Sequence, residues 1–206
     1  VMRPEKIKEF IDALAKMGYN MLELYMEDTY EIDGEPYFGY LRGGYSVSEL
    51  KDLDLYASSK GIELVPAIQT LAHFNNLAKL PHYEDIIDIR DILSVENEKT
   101  YDLIDKMFKT LAKAFTSRIV NIGMDEAHYI GLGKYLDEHG YKNRYDLLFG
   151  HLQRVAEIAA KYDFTLHMWS DMFFRIGNCG KYYGKDLVVS EDIYEKIPKN
   201  VELIYW

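Results

Sequence analysis

The chain has 206 residues, 48% of them hydrophobic, enough to bury a substantial core within one domain. Its 34 acidic residues against 24 basic ones give a net charge of -10, which repels phosphate backbones and anionic lipid surfaces and argues against nucleic acid or a membrane surface as partner. There is no secretory signal and no apolar run long enough to span a bilayer, and the lone Cys179 has no disulfide partner, which favours a reducing, cytoplasmic setting.

Pro4 sits well at a helix start, and Ile7, Phe10, Ile11, Leu14 and Met17 recur at helical spacing until Gly18. "YNMLELYM" (19–26) then reads as a strand, and the polar, Tyr- and Gly-rich stretch 27–46 as a long loop. Ser46 and Glu49 form a capping box ahead of the stripe Leu50, Leu53, Tyr56 and Ala57, and Gly61 closes that helix before the strand "IELVPAI". After another long loop, Ser94 is the expected cap of a helix with the stripe Ile104, Met107, Phe108, Leu111 and Phe115, which leads into "RIVNIGM". Leu148, Leu152, Val155, Ala159 and Tyr162 mark a further helix before "FTLHMW", and "VELIYW" (201–206) reads as a fifth strand.

Helices alternating with continuous apolar strands imply right-handed crossovers and a parallel sheet covered by helices. A doubly wound sheet and part of an eight-stranded barrel both satisfy that pattern. The long aromatic and charged segments all follow strands while the helix-to-strand turns are short, which favours the barrel, whose active site lies at the strand C-terminal ends. The chain opens on Val1 and stops at Trp206 inside an apolar run, so it is expected to be a piece of something longer. Residues 1–206 then form part of a single barrel domain, with no internal boundary or low-complexity linker.

The stretch "RIVNIGMDEAHYIG" (118–131) ends a strand in two adjacent acids, Asp125 and Glu126. Neighbouring strand residues face opposite ways, so the two share a pocket only where the chain begins to turn. Close carboxylates push each other's proton affinities apart, leaving one as an acid and the other ionised, a division suited to glycoside cleavage. A solvated acidic helix start accounts for the same two residues.

"VNIGMDEAH", preceded by "LELYMEDTY" and "PAIQTLAHF" and followed by "HMWSD", resembles the catalytic barrel of glycoside hydrolase family 20, the beta-N-acetylhexosaminidases. The resemblance runs in matching order over nearly the whole chain, and the adjacent Asp-Glu pair is its most specific part. It implies an incomplete (β/α)8 TIM barrel covering about strands 2 to 6, in an exo-acting hydrolase of terminal N-acetylglucosamine or N-acetylgalactosamine. By the same resemblance Glu126 is the general acid and base. The substrate's own 2-acetamido oxygen is the nucleophile, and Asp125 orients that group and stabilises the cationic intermediate. Asp28 and His73 resemble the Asp-His pair that supports the acid, with Glu27 the adjacent alternative to Asp28. Trp169 and Trp206 resemble aromatic walls around the sugar, while Asp171 either binds a sugar hydroxyl or caps the following turn. No cofactor and no metal are implied. The family's substrate-binding Arg of the first strand, Tyr of the seventh and Trp of the eighth fall outside this stretch, so activity of the isolated chain is not implied.

Five of eight strands leave two open sheet edges, which invites self-association if the chain stands alone. Two rival readings fit the same residues. One is a metal-dependent barrel hydrolase using His73, Glu126, His128, His167 and Asp171, although no tight ligand spacing supports it. The other is a non-catalytic sugar-binding barrel segment.

Overall fold

The computed structural model describes all 206 residues. Helix α1 (Pro4–Lys16) begins at its proline, whose missing N–H costs nothing in a first turn. Ile7 and Ile11 make its buried seam, whereas Phe10 and Met17, expected in the stripe, remain exposed. Strand β1 (Met21–Glu27) follows, and the capping box expected at Ser46 and Glu49 opens α2 (Val47–Ser59). There the Ser46 hydroxyl accepts from the Glu49 amide at 3.2 Å, and the Glu49 carboxylate accepts from the Ser46 amide at 2.8 Å.

Strand β2 (Glu63–Ile68) leads into two 3-10 turns and a small antiparallel hairpin, β3 (Ile87–Ile89) with β4 (Ile92–Leu93). Helix α3 (Glu98–Ala114) is capped by Asn97, whose side chain accepts from the Lys99 amide at 3.0 Å. The expected cap, Ser94, lies upstream of the helix, where its carbonyl accepts from the Thr100 hydroxyl. Ile104, Met107, Phe108 and Leu111 are wholly buried along α3, each contributing about 1.5–3 kcal/mol by area transfer. The remaining elements are β5 (Ile119–Asn121), α4 (Lys134–His139), α5 (Arg144–Ala160), β6 (Thr165–Trp169), α6 (Asp171–Arg175), α7 (Glu191–Glu195) and β7 (Val201–Ile204).

The main sheet runs β1-β2-β5-β6-β7, every pair parallel, with no reversal of strand order. A doubly wound sheet needs a switch point where that order turns back. Here the helices also pack in sequence along the sheet, α1 on α2, α2 on α3 and α3 on α5. This is one wall of a barrel. Leu64, Val120, Leu166 and Met168 are buried in the core beneath the helices. The alternate residues form the concave face, where Glu23 accepts from Asn121 at 3.0 Å and pairs with His167 at 3.1 Å. Strand alternation places Tyr25 two residues above Glu23 and Trp169 two above His167, at the C-terminal rim.

Candidate active site

The strand ends deliver their side chains through backbone that leaves the extended region. Beyond β5, Gly123 (φ 70°), Met124 (φ 65°) and Glu126 (φ 53°) are all left-handed, so the period-two alternation fails across Asp125 and Glu126. Both carboxylates therefore reach one open cavity of about 380 Å³, shared with Tyr25, Trp169 and Trp206. The expected position of the pair, at the point where the strand turns, is the one observed.

Gly123 makes this turn possible. A Cβ there would lie 2.1 Å from Gln69 Oε1, so only glycine lets the Gln69 amide pack against the chain. Gln69 Nε2 donates to Asp125 Oδ1 at 2.8 Å and to the Tyr25 hydroxyl at 3.3 Å, while its Oε1 accepts from the Met124 amide at 3.3 Å. His73 Nε2 lies 3.0 Å from Asp125 Oδ2. Asp125 is thus gripped at both oxygens. Burial pushes its carboxyl up, but the hydrogen bonds from His73 and Gln69 and the His73 charge prevail and hold it below the ordinary carboxylate value. Reciprocally, the bond to Asp125 raises the His73 imidazole above its ordinary value against the opposing effect of burial.

Glu126 is about half exposed and faces the cavity, with Oε2 3.9 Å from His73 Nε2 and Oε1 3.8 Å from Arg175 Nη2. Its own amide donates to Asp171 Oδ2 at 3.1 Å. The two tryptophans meet edge to face, centroids 5.3 Å apart at 84°. Tyr182 backs Trp206, its ring centroid 5.1 Å away and its hydroxyl accepting from the Trp206 amide at 3.2 Å.

Five of the residues singled out from the sequence, Asp125, Glu126, His73, Trp169 and Trp206, are therefore brought together. Two are not placed as expected. Asp28 does not hold His73: it is buried beside the Arg42 guanidinium, which donates to its Oδ1 at 2.5 Å and to Glu27 at 2.7 Å. Arg42, returning from the long loop after β1, offers Asp28 a full charge at short range. His73 turns instead to Asp125. Asp171 does not line the cavity either. It is the fully buried first residue of α6, facing the Glu126 amide and Arg175 Nε at 2.7 Å. Burial raises its carboxyl to about 6 despite those two donors. The five-residue metal set does not converge: His167 pairs with Glu23 on the concave face, and of the set only His73 and Glu126 lie in the cluster with Asp125 whose ligand atoms are all within 4.8 Å. That trio has the spacing that could hold a metal ion, although the His73 and Asp125 atoms are already engaged with each other. Tyr25, Gln69 and Arg175 escaped the sequence reading, although alternation along β1 from Glu23 points to Tyr25.

Comparison with known proteins agrees with this geometry. A family model described as "Glycosyl hydrolase family 20, catalytic domain" matches residues 1–191. A probable beta-hexosaminidase of Arthroderma benhamiae is 25% identical over 236 residues, spanning 98% of this chain and 36% of that protein. Hexosaminidase D of Bos taurus is 24% identical over 215 residues, spanning 97% of this chain and 57% of its own length. The chain thus covers roughly a third to just over half of these relatives. Among solved structures, the exo beta-N-acetylglucosaminidase of Vibrio harveyi in complex with N-acetylglucosamine superposes with a TM-score of 0.78 at 18% identity, over 100% of this chain and 36% of that one. The beta-N-acetylhexosaminidase of Streptomyces coelicolor A3(2) gives 0.71 at 23% identity, over 99% and 45%. With an adjacent Asp-Glu pair at the mouth of a parallel barrel wall and a family model matched along nearly its whole length, the chain belongs to glycosyl hydrolase family 20, as part of its catalytic domain.

Proposed function

We propose that the protein carrying this chain is an exo-acting beta-N-acetylhexosaminidase that releases terminal N-acetylglucosamine or N-acetylgalactosamine with retention of configuration, by a substrate-assisted route. The observation that carries this reading is the convergence of two differently held carboxylates on one aromatic-walled cavity. Asp125 is pinned from both sides and kept ionised, while Glu126 projects into the open space.

In the first step Glu126 gives its proton to the glycosidic oxygen. The bond from that oxygen to the anomeric carbon breaks with its electron pair going to the leaving group. The acetamido carbonyl oxygen forms the new bond to the same carbon. An ionised carboxylate has lone pairs beyond the two used by Gln69 and His73, so Asp125 accepts the acetamide N–H and faces the positive charge that grows on the ring. Glu126 then takes a proton from a water whose oxygen bonds to the anomeric carbon as the bond from that carbon to the acetamido oxygen breaks, its electron pair returning to the acetamide, and two inversions give net retention. The right-angled pair Trp169 and Trp206 suits an apolar pyranose face and an acetamido methyl group.

The test is hydrolysis by the full-length protein of an aryl N-acetyl-beta-glucosaminide beside the corresponding beta-glucoside. Cleavage of the acetamido sugar alone supports the reading; equal rates on both would sink the substrate-assisted scheme.

A further inference from the structure

Behind the cavity wall, α6 carries a charge arrangement for which the scheme above has no use so far. Arg175 is largely buried, 17% exposed along its side chain, and two of its three guanidinium nitrogens are hydrogen-bonded. Nε donates to Asp171 Oδ2 at 2.7 Å, Nη1 to the Gly180 carbonyl at 3.1 Å, and the planar group lies 5.5 Å over the Tyr182 ring. The remaining nitrogen, Nη2, stands 3.8 Å from Glu126 Oε1, too far for a hydrogen bond and close enough for a strong field. The same Asp171 oxygen that holds Arg175 also accepts from the Glu126 amide, and so fixes the left-handed backbone from which that carboxyl projects. Asp171 Oδ1 is buried without any partner.

Resting on the reading of Glu126 as acid and base, we propose that Arg175 is a positioning residue for the reaction: it holds a fixed positive charge beside the carboxylate that Glu126 becomes on releasing its proton, with Asp171 setting the backbone of Glu126 and moderating that charge. A cation fixed in advance costs no reorganisation when charge develops next to it, which is the condition under which such a group accelerates a step. Asp171, tied to Arg175 through Nε, moderates that charge, and the 3.8 Å gap leaves the Glu126 carboxyl free to point at substrate. The other titratable groups around Glu126 are His73 and Asp125 on the opposite side and His128 in the same turn. None of them offers a permanent cation. Through Tyr182, which also supports Trp206, Arg175 joins the acid to the aromatic wall.

The experiment measures kcat and KM for the full-length protein and its Arg175→Gln, Arg175→Lys, Asp171→Asn and Glu126→Gln variants. Two N-acetyl-beta-glucosaminides are used, one with an alkyl leaving group that needs the acid and one with a dinitrophenyl group that does not. Arg175→Gln is expected to lower kcat on the alkyl glycoside by about 10-fold or more, within the range of general acid effects, with KM and the dinitrophenyl rate little changed. Arg175→Lys, which keeps a cation at this place, is expected to retain most of the alkyl rate. Asp171→Asn, which leaves the cation unopposed, should keep the alkyl-to-dinitrophenyl rate ratio at or above that of the parent, and this variant decides the matter should Arg175→Gln fail to fold. Equal losses on both substrates would mean a purely structural role and overturn the proposal. Impaired Glu126→Gln beside a normal Arg175→Gln removes the Arg175 role alone. An unimpaired Glu126→Gln overturns the acid assignment and this inference with it.

Discussion

Replacing Gly123 with alanine should break the hold on Asp125 without touching a charged group. Two costs combine. At φ 70° an alanine suffers the left-handed penalty of about 1–2 kcal/mol. Its Cβ also falls 2.1 Å from Gln69 Oε1, and the Gln69 amide must swing away. That forfeits a bond to an ionised carboxylate, about 1.5–3 kcal/mol, and those to the Met124 amide and the Tyr25 hydroxyl, about 1 kcal/mol each. The sum is about 4.5–7 kcal/mol, a large part of a typical domain's stability. In a Gln69→Ala background the clash and all three bonds are already gone, so Gly123→Ala should then cost only the backbone term, about 1–2 kcal/mol. Urea unfolding followed by tryptophan fluorescence suits the measurement, since the chain's two tryptophans both line the cavity. If Gly123→Ala costs the same in both backgrounds, Gln69 is not the partner that glycine accommodates, and the account of how Asp125 is held fails.

Glu126→Gln should lower turnover about 10²-fold or more on substrates with poor leaving groups, and unchanged turnover would remove the acid role. Asp125→Asn keeps the side-chain size, with the new amide oxygen facing Gln69 and its nitrogen facing a neutral His73; turnover should nonetheless fall about 10²-fold from loss of charge, with binding less affected. Trapping a covalent sugar ester on Asp125 would move the protein to the two-carboxylate mechanism instead. Because the folded protein raises the His73 pKa, this residue stabilises the fold below about pH 6.5, its unfolded value, and ceases to do so once pH rises through the higher folded value. His73→Gln should therefore cost more stability at pH 6 than at pH 9, and a pH-independent loss in urea midpoints would show that the raised affinity is not realised.

Much of the architecture was legible because it rests on local chemistry. The Ser46–Glu49 box needs only its own four residues, and the Ile104 to Leu111 seam only helical periodicity. Ser94 was mistaken for a cap because Asn97, equally competent, sits three residues on, and the choice depends on where the β3–β4 hairpin releases the chain. That hairpin, built from strands of three and two residues, is too short to leave a period. In the site, order along the chain pointed to the ends of β5, β6 and β7, from which Asp125, Glu126, Trp169 and Trp206 line one cavity. It could not give side-chain partners. Asp28 went to Arg42, a cation from a loop with no pattern of its own, and His73 was left to Asp125. Arg175 gave no signal, since an Asp and an Arg four apart look like any helical surface pair.

The left-handed residues around the cavity carry a consequence for anyone who would stabilise this protein. Glu27, His73, Met124 and Glu126 all hold φ between 51° and 65°, where glycine would relieve strain of about 1–3 kcal/mol at each position. Asp163, in the turn between α5 and β6, is held at φ 62° far from the cavity. A glycine scan selected for thermal resistance alone would accept Asp163→Gly and Glu126→Gly with equal readiness. Selected for sugar release, it would keep the first and discard the second. Heat resistance and catalysis pull in opposite directions only where the backbone bends to present a side chain, so the positions at which the two selections disagree would trace the outline of the site with no bound sugar in view.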